Sequence, residues 1–73
     1  MKIKLTFSRA SFFFNDYYEV RYEPQRGQDL AIASIFKEGN YCLSVESRSI
    51  NKTDAKDILQ RFLNGYLHEK NIN

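Results

Sequence analysis

Seventy-three residues, 42% hydrophobic and 27% charged, suffice for one folded domain and leave no room for a second core. Eleven Lys and Arg against nine Asp and Glu give 11 − 9 = +2, a balance that permits nucleic acid without the dense cationic patch of a dedicated binder. The one cysteine, Cys42, excludes an intrachain disulfide and fits a reducing compartment.

A chain of this length buries only about 60–65% of the surface that its unfolded form exposes, so the core must be efficient. Six Phe and five Tyr supply the means, since each ring buries roughly 150–250 Å². The opening Met1-Lys2-Ile3-Lys4 interleaves charge with apolar residues, unlike a signal peptide. No run approaches the roughly 20 apolar residues that span a bilayer. The expectation is a cytoplasmic protein with no membrane association.

The first strand is expected over 2–14. Ile3, Leu5 and Phe7 alternate with Lys2, Lys4, Thr6 and Ser8, and an interruption follows at Arg9 to Ser11. The second covers 17–23, with Tyr18, Val20 and Tyr22 set against Tyr17, Glu19, Arg21 and Glu23. Asn15-Asp16 between them tolerates the left-handed backbone of a tight hairpin. Pro24 to Asp29, with the chain's one proline and then Gly27, reads as a loop. A third strand over 30–37 carries Leu30, Ile32 and Phe36 on one face. Glu38-Gly39-Asn40 makes a turn, and a fourth strand over 41–47 has Leu43 and Val45 as its core pair.

A helix is expected over 53–68. Ala55, Ile58, Leu59, Phe62, Leu63, Tyr66 and Leu67 keep the i, i+3, i+4 spacing of an apolar stripe, and Lys56, Asp57, Gln60, Arg61, Asn64 and His68 lie opposite. Asn51 or Thr53 can cap its start, and Asp54 suits the positive first turn. The pattern therefore predicts an α+β fold: an antiparallel sheet of about four strands, one face covered by a single C-terminal amphipathic helix and the other open. Function is to be sought on the open face.

Catalytic and metal chemistry finds little support. Cys42 and His68 stand on different elements without a second ligand spaced beside either, and both are expected to be bystanders. The three glycines, Gly27, Gly39 and Gly65, match no phosphate-cradling loop. The carboxylate pairs Glu19/Glu23 and Asp54/Asp57 read as a solvated strand face and as helix-dipole charges. A non-enzyme with no metal and no cofactor is expected.

Asn51-Lys52-Thr53-Asp54-Ala55-Lys56 resembles the basic helix start of double-stranded-RNA-binding domains, whose Ser-Lys-Lys-x-Ala-Lys lysines grip phosphates. Lys52, Ala55 and Lys56 match, Thr53 replaces the central lysine, and Asp54 adds a negative charge. That family also begins with a helix, whereas this chain begins with strand-like 2–7. The resemblance implies phosphate contacts by Lys52 and Lys56, to which Arg48 and Lys2/Lys4 would add. A strands-then-helix layout also resembles the small sheet domains with which some integrases touch DNA, a likeness that carries no function by itself.

Phe12-Phe13-Phe14 cannot all point inward on a strand, because neighbours alternate. With a two-residue turn at Asn15-Asp16, Phe14 opposes Tyr17 and Phe13 opposes Tyr18. Phe13 then faces the core with Phe7, while Phe12, Phe14 and Tyr17 share the open face with Lys4, Glu19 and Arg21. Three exposed rings rimmed by charge are what a protein-recognition patch requires; the alternative is that a register shift or the bulge buries two of them, or that the loop from Pro24 to Asp29 folds over them. The expected function is a small binding or inhibitory protein, a class that includes phage and mobile-element inhibitors of host machinery. Its expected partner is another protein. A second copy of the chain and a nucleic acid held by Arg48, Lys52 and Lys56 are the alternatives.

Overall fold

The computed structural model describes residues 2–14, 17–24 and 29–70, with Phe14 described by its backbone alone. Four antiparallel strands form one sheet in the order β1-β2-β3-β4, with β1 at Ala10–Phe14, β2 at Tyr18–Pro24, β3 at Leu30–Lys37 and β4 at Asn40–Arg48. Helix α1, Lys52–Glu69, packs on β3 and β4. This is the α+β architecture that the alternation and the helical stripe predict.

Local chemistry explains the two sharpest boundaries. Glu38 and Gly39 both take positive φ, 52° and 81°, and Lys37 pairs with Asn40 across them, as in a two-residue hairpin whose twist matches its strands. Asn51 caps α1: its side-chain Oδ1 accepts the Asp54 N–H at 2.9 Å, satisfying one of the donors that a helix start leaves open.

Residues 2–9 depart from expectation. They form no ladder with the sheet, and β1 begins at Ala10. The alternation of Ile3 and Leu5 is real, for both are buried, but the neighbour is the helix. Asn64 Oδ1 accepts the Ile3 N–H at 2.7 Å, Asn64 Nδ2 donates to the Ile3 carbonyl at 3.1 Å, and Gln60 Oε1 accepts the Leu5 N–H at 2.8 Å. Two side-chain amides thus do for this segment what a neighbouring strand would do. Further along, the buried Tyr22 hydroxyl of β2 donates to the Thr6 carbonyl at 2.9 Å. The segment and α1 together form the layer that covers one face of the sheet, the segment toward β2 and α1 over β3 and β4.

The core between the layers is Ile3, Leu5, Val20, Tyr22, Ala31, Ala33, Ile35, Ala55, Leu59, Leu63 and Leu67, with Leu43 and Val45 of β4 packed partly against it. Small Ala31 and Ala33 lie under the helix layer. Ile32 and Phe36 do share a face, as expected, but it is the face away from the helix, where both are half-buried. The helix is also rolled relative to the symmetrical stripe. Ala55, Leu59, Leu63 and Leu67 are fully buried, whereas Ile58 and Phe62, expected in the core, are 41% and 46% exposed. The roll brings Gln60 and Asn64 onto the N-terminal segment, which turns the Ile58–Phe62 flank outward.

Candidate functional site on the open sheet face

Hairpin register decides what the open face carries. Phe14 pairs with Tyr18, Phe13 with Glu19 and Phe12 with Val20, so three residues connect the strands where two were expected. Asn15 and Asp16 of that connection lie outside the described residues. One additional turn residue shifts the register by one and exchanges the faces. Phe12, expected on the open face, therefore packs half-buried against the core beside Val20. Phe13, expected in the core, is 67% exposed. The side chain of Phe14 lies outside the description. Tyr17 is exposed in the connection, next to the turn that follows β3, and its carbonyl accepts the Glu38 N–H at 2.6 Å. Lys4 is exposed but sits on the segment in the helix layer, away from this face.

Glu19 and Arg21 are placed as the alternation required, on the open face of β2. Across the four strands the pairing sets Phe13, Glu19, Phe36 and Tyr41 in one row, and Ser11, Arg21, Ser34 and Ser44 in the next. The two rows are tied together. Arg21 Nε and Nη2 donate to the two Glu19 carboxylate oxygens at 3.0 and 3.2 Å, and the guanidinium lies 4.1 Å from the centre of the Phe36 ring. The hydrogen bond to Glu19 is the main reason that the Arg21 pKa is raised above its ordinary value. Phe36 in turn meets Tyr41 edge to face, with centroids 5.9 Å apart. The Tyr41 hydroxyl donates to Ser44 Oγ at 3.1 Å, and Ser44 shares a 2.9 Å hydrogen bond with Ser34.

Sequence reasoning missed Phe13, Phe36 and Tyr41. Tyr41 reaches the row because β4 carries one extra residue, Cys42, between the partners of Ile35 and Phe36. A bulge of this kind reverses the alternation on one side of itself and leaves little trace in the sequence. The result is a surface on which two exposed rings, Phe13 and Tyr41, flank an arginine that lies over the Phe36 ring and is hydrogen-bonded to Glu19 of its own strand. Such a surface can bury aromatic area and lose little side-chain freedom on binding.

The residues expected to hold nucleic acid, Arg48, Lys52 and Lys56, do not gather on one face. Arg48 stands at the end of β4 with Nε 3.6 Å from Glu46. Lys52 and Lys56 lie on the other layer, their ammonium groups 5.3 and 5.6 Å from the centre of the Phe7 ring, and Lys56 is also paired with Asp57 at 2.8 Å. On the open face and its rim, Arg9, Arg21 and Arg48 against Glu19, Glu23 and Glu46 give 3 − 3 = 0, with Arg9 3.9 Å from Glu23, Arg21 3.0 Å from Glu19 and Arg48 3.6 Å from Glu46. The exposed Cys42 thiol and His68, at the far end of α1, are on separate elements. Among the described residues no group of three or more His, Cys, Asp or Glu could hold a metal ion, and no helix is long and apolar enough to cross a membrane. Compared with protein-family models, with curated proteins and with solved structures, the chain gives no significant match to any.

Proposed function

We propose that this chain is a non-enzymatic binding module that docks on another protein through the open face of its sheet. The observation that supports this reading best is the Arg21 guanidinium, hydrogen-bonded to Glu19, 4.1 Å from the centre of the Phe36 ring and flanked by exposed Phe13 and Tyr41. Aromatic and arginine side chains on a pre-ordered surface are the groups that dominate protein–protein affinity. Each arginine of the same face is paired with a carboxylate, a balance of 0 that favours a protein over a nucleic acid, whose phosphates would meet three carboxylates. The inhibitory role that we propose, obstructing a partner by occupying its surface, needs no catalytic group.

The double variant Phe13→Ser with Tyr41→Ser tests the reading. Tagged native protein and variant are used to capture partners from a nuclease-treated native lysate at low and high salt. The expected result is a protein retained by the native chain at both salt concentrations and lost by the folded variant. Equal retention by both chains removes the open face from consideration.

One observation favours a second reading: Lys52 and Lys56 converge on Phe7. Two cations beside an exposed ring could meet a phosphate and a base. Asp57 neutralises Lys56, however, and Asp54 stands in the same turn. Titration with labelled duplex RNA and DNA separates the readings. Submicromolar binding that weakens steeply with salt, through counterion release, would give the nucleic-acid reading precedence.

A further inference from the structure

We infer that β4 and the adjoining flank of α1 form an interface with a second copy of this chain, β4 pairing with β4 so that the two sheets become one. Both ends of the sheet order are edges, but they are unequal. β1 is five residues long, while β4 runs for nine, Asn40-Tyr41-Cys42-Leu43-Ser44-Val45-Glu46-Ser47-Arg48, with no proline or lysine. Long edges without those residues offer unpaired backbone groups to another strand, here on the side of the Cys42 bulge that runs to Arg48.

The layer above the same edge is unsealed. Gln60 and Asn64 hold the N-terminal segment on the β2 side of α1, so the opposite flank, bearing Ile58 and Phe62, overhangs β4. Phe62 stacks on half-buried Tyr66 with centroids 6.3 Å apart. Below them Leu43 and Val45 are only partly covered, while Val20, Ala33 and Ile35 on the inner strands are 0–1% exposed. Leu43, Val45, Ile58, Phe62 and Tyr66 thus line one side of the molecule as a core cut open.

A second copy fits that side better than an unrelated strand, because the edge is complementary to itself. With an antiparallel register centred on Ser44, the stretch from Cys42 to Glu46 overlaps its copy, and the bulge at Cys42 ends the match there. Leu43 then meets Val45 of the second copy on the helix side and Glu46 faces Cys42, so no charge opposes its like. About five paired residues extend about 17 Å beneath the Ile58–Tyr66 flank, a contact of the size of weak self-association.

Analytical ultracentrifugation of the whole chain tests the inference. The native protein should sediment at about twice its 8.6 kDa mass. The double variant Ile58→Lys with Phe62→Lys, both sites being exposed, should sediment as a monomer with its helical circular dichroism retained. Phe13→Ser, on the open face of β1 and away from β4, should remain dimeric, which separates this interface from the proposed docking face. A native monomer at concentrations up to about 1 mM, the weak end of specific association, would overturn the inference. So would a dimer that persists in the lysine variant, or one dispersed by the open-face variant instead.

Discussion

Phe12 stands directly opposite Val20, and this pairing turns Phe12 toward the core and Phe13 out beside Glu19. The two neighbouring rings therefore have different work to do. Phe12→Ser should cost about 1–3 kcal/mol of stability, roughly half of what deleting a fully buried ring costs. Phe13→Ser should stay within about 0.5 kcal/mol of the native protein. Urea denaturation of the two variants side by side checks the register. Equal losses would show that the strands pair differently.

Asn64 makes two hydrogen bonds to the backbone of Ile3 and so acts as an anchor for the N-terminal segment. Asn64→Ala should cost about 1–3 kcal/mol, since it leaves a backbone donor and acceptor without their partners. Asn64→Asp tests the same contact more finely: a carboxylate still accepts from the Ile3 N–H but cannot donate to the carbonyl. Hydrogen exchange at Ile3 and Leu5 should accelerate in the alanine variant while the amides of β3 stay protected.

The roll of α1 separates Leu63 from Phe62, one buried and the other exposed. Leu63→Ala should lose about 2–5 kcal/mol. Against the roughly 4–11 kcal/mol typical of 73 residues, that is enough to threaten folding. Phe62→Ala should lose less than about 1 kcal/mol in dilute protein. A larger loss that grows with protein concentration would come from the interface with a second copy.

Burial raises the pKa of Tyr22 above its ordinary value. The folded chain therefore holds the phenol proton more tightly than the unfolded chain does. This contribution to stability is complete below the unfolded value of about 10 and is lost as pH rises through the higher folded value. Tyr22→Phe should flatten that alkaline decline. It should also lower stability at neutral pH by about 0.5–1.5 kcal/mol, because the hydrogen bond to the Thr6 carbonyl is gone. Thermal melts between pH 7 and 11 measure both effects.

What the sequence made legible was local. Asn51 as a cap, the turn at Glu38-Gly39 and the burial of Ile3, Leu5, Leu59 and Leu63 each follow from a few neighbouring residues. The errors arose wherever a choice depended on something distant. In β3, Ala31, Ala33 and Ile35 compete with Ile32 and Phe36, and only the approach of a helix favours the face with small residues. Alternation in 2–8 is the same whether the neighbour is a strand or the amides of Gln60 and Asn64. One unseen turn residue moved Phe12 and Phe13 to opposite sides, and one bulged residue brought Tyr41 to Phe36. The clamp of Glu19 on Arg21 was within reach, since residues two apart on a strand share a face.

The contact between Ile3 and Asn64 spans 61 positions and sets a schedule for synthesis. The ribosome adds about 5–20 residues each second, so the first strand-like segment emerges roughly 3–12 s before its anchor exists. For that interval Ile3 and Leu5 have no Gln60 or Asn64 to bind, although the meander of β1 to β4 can already form from near neighbours. The nascent chain thus passes through a stage with its sheet largely made and its covering layer missing.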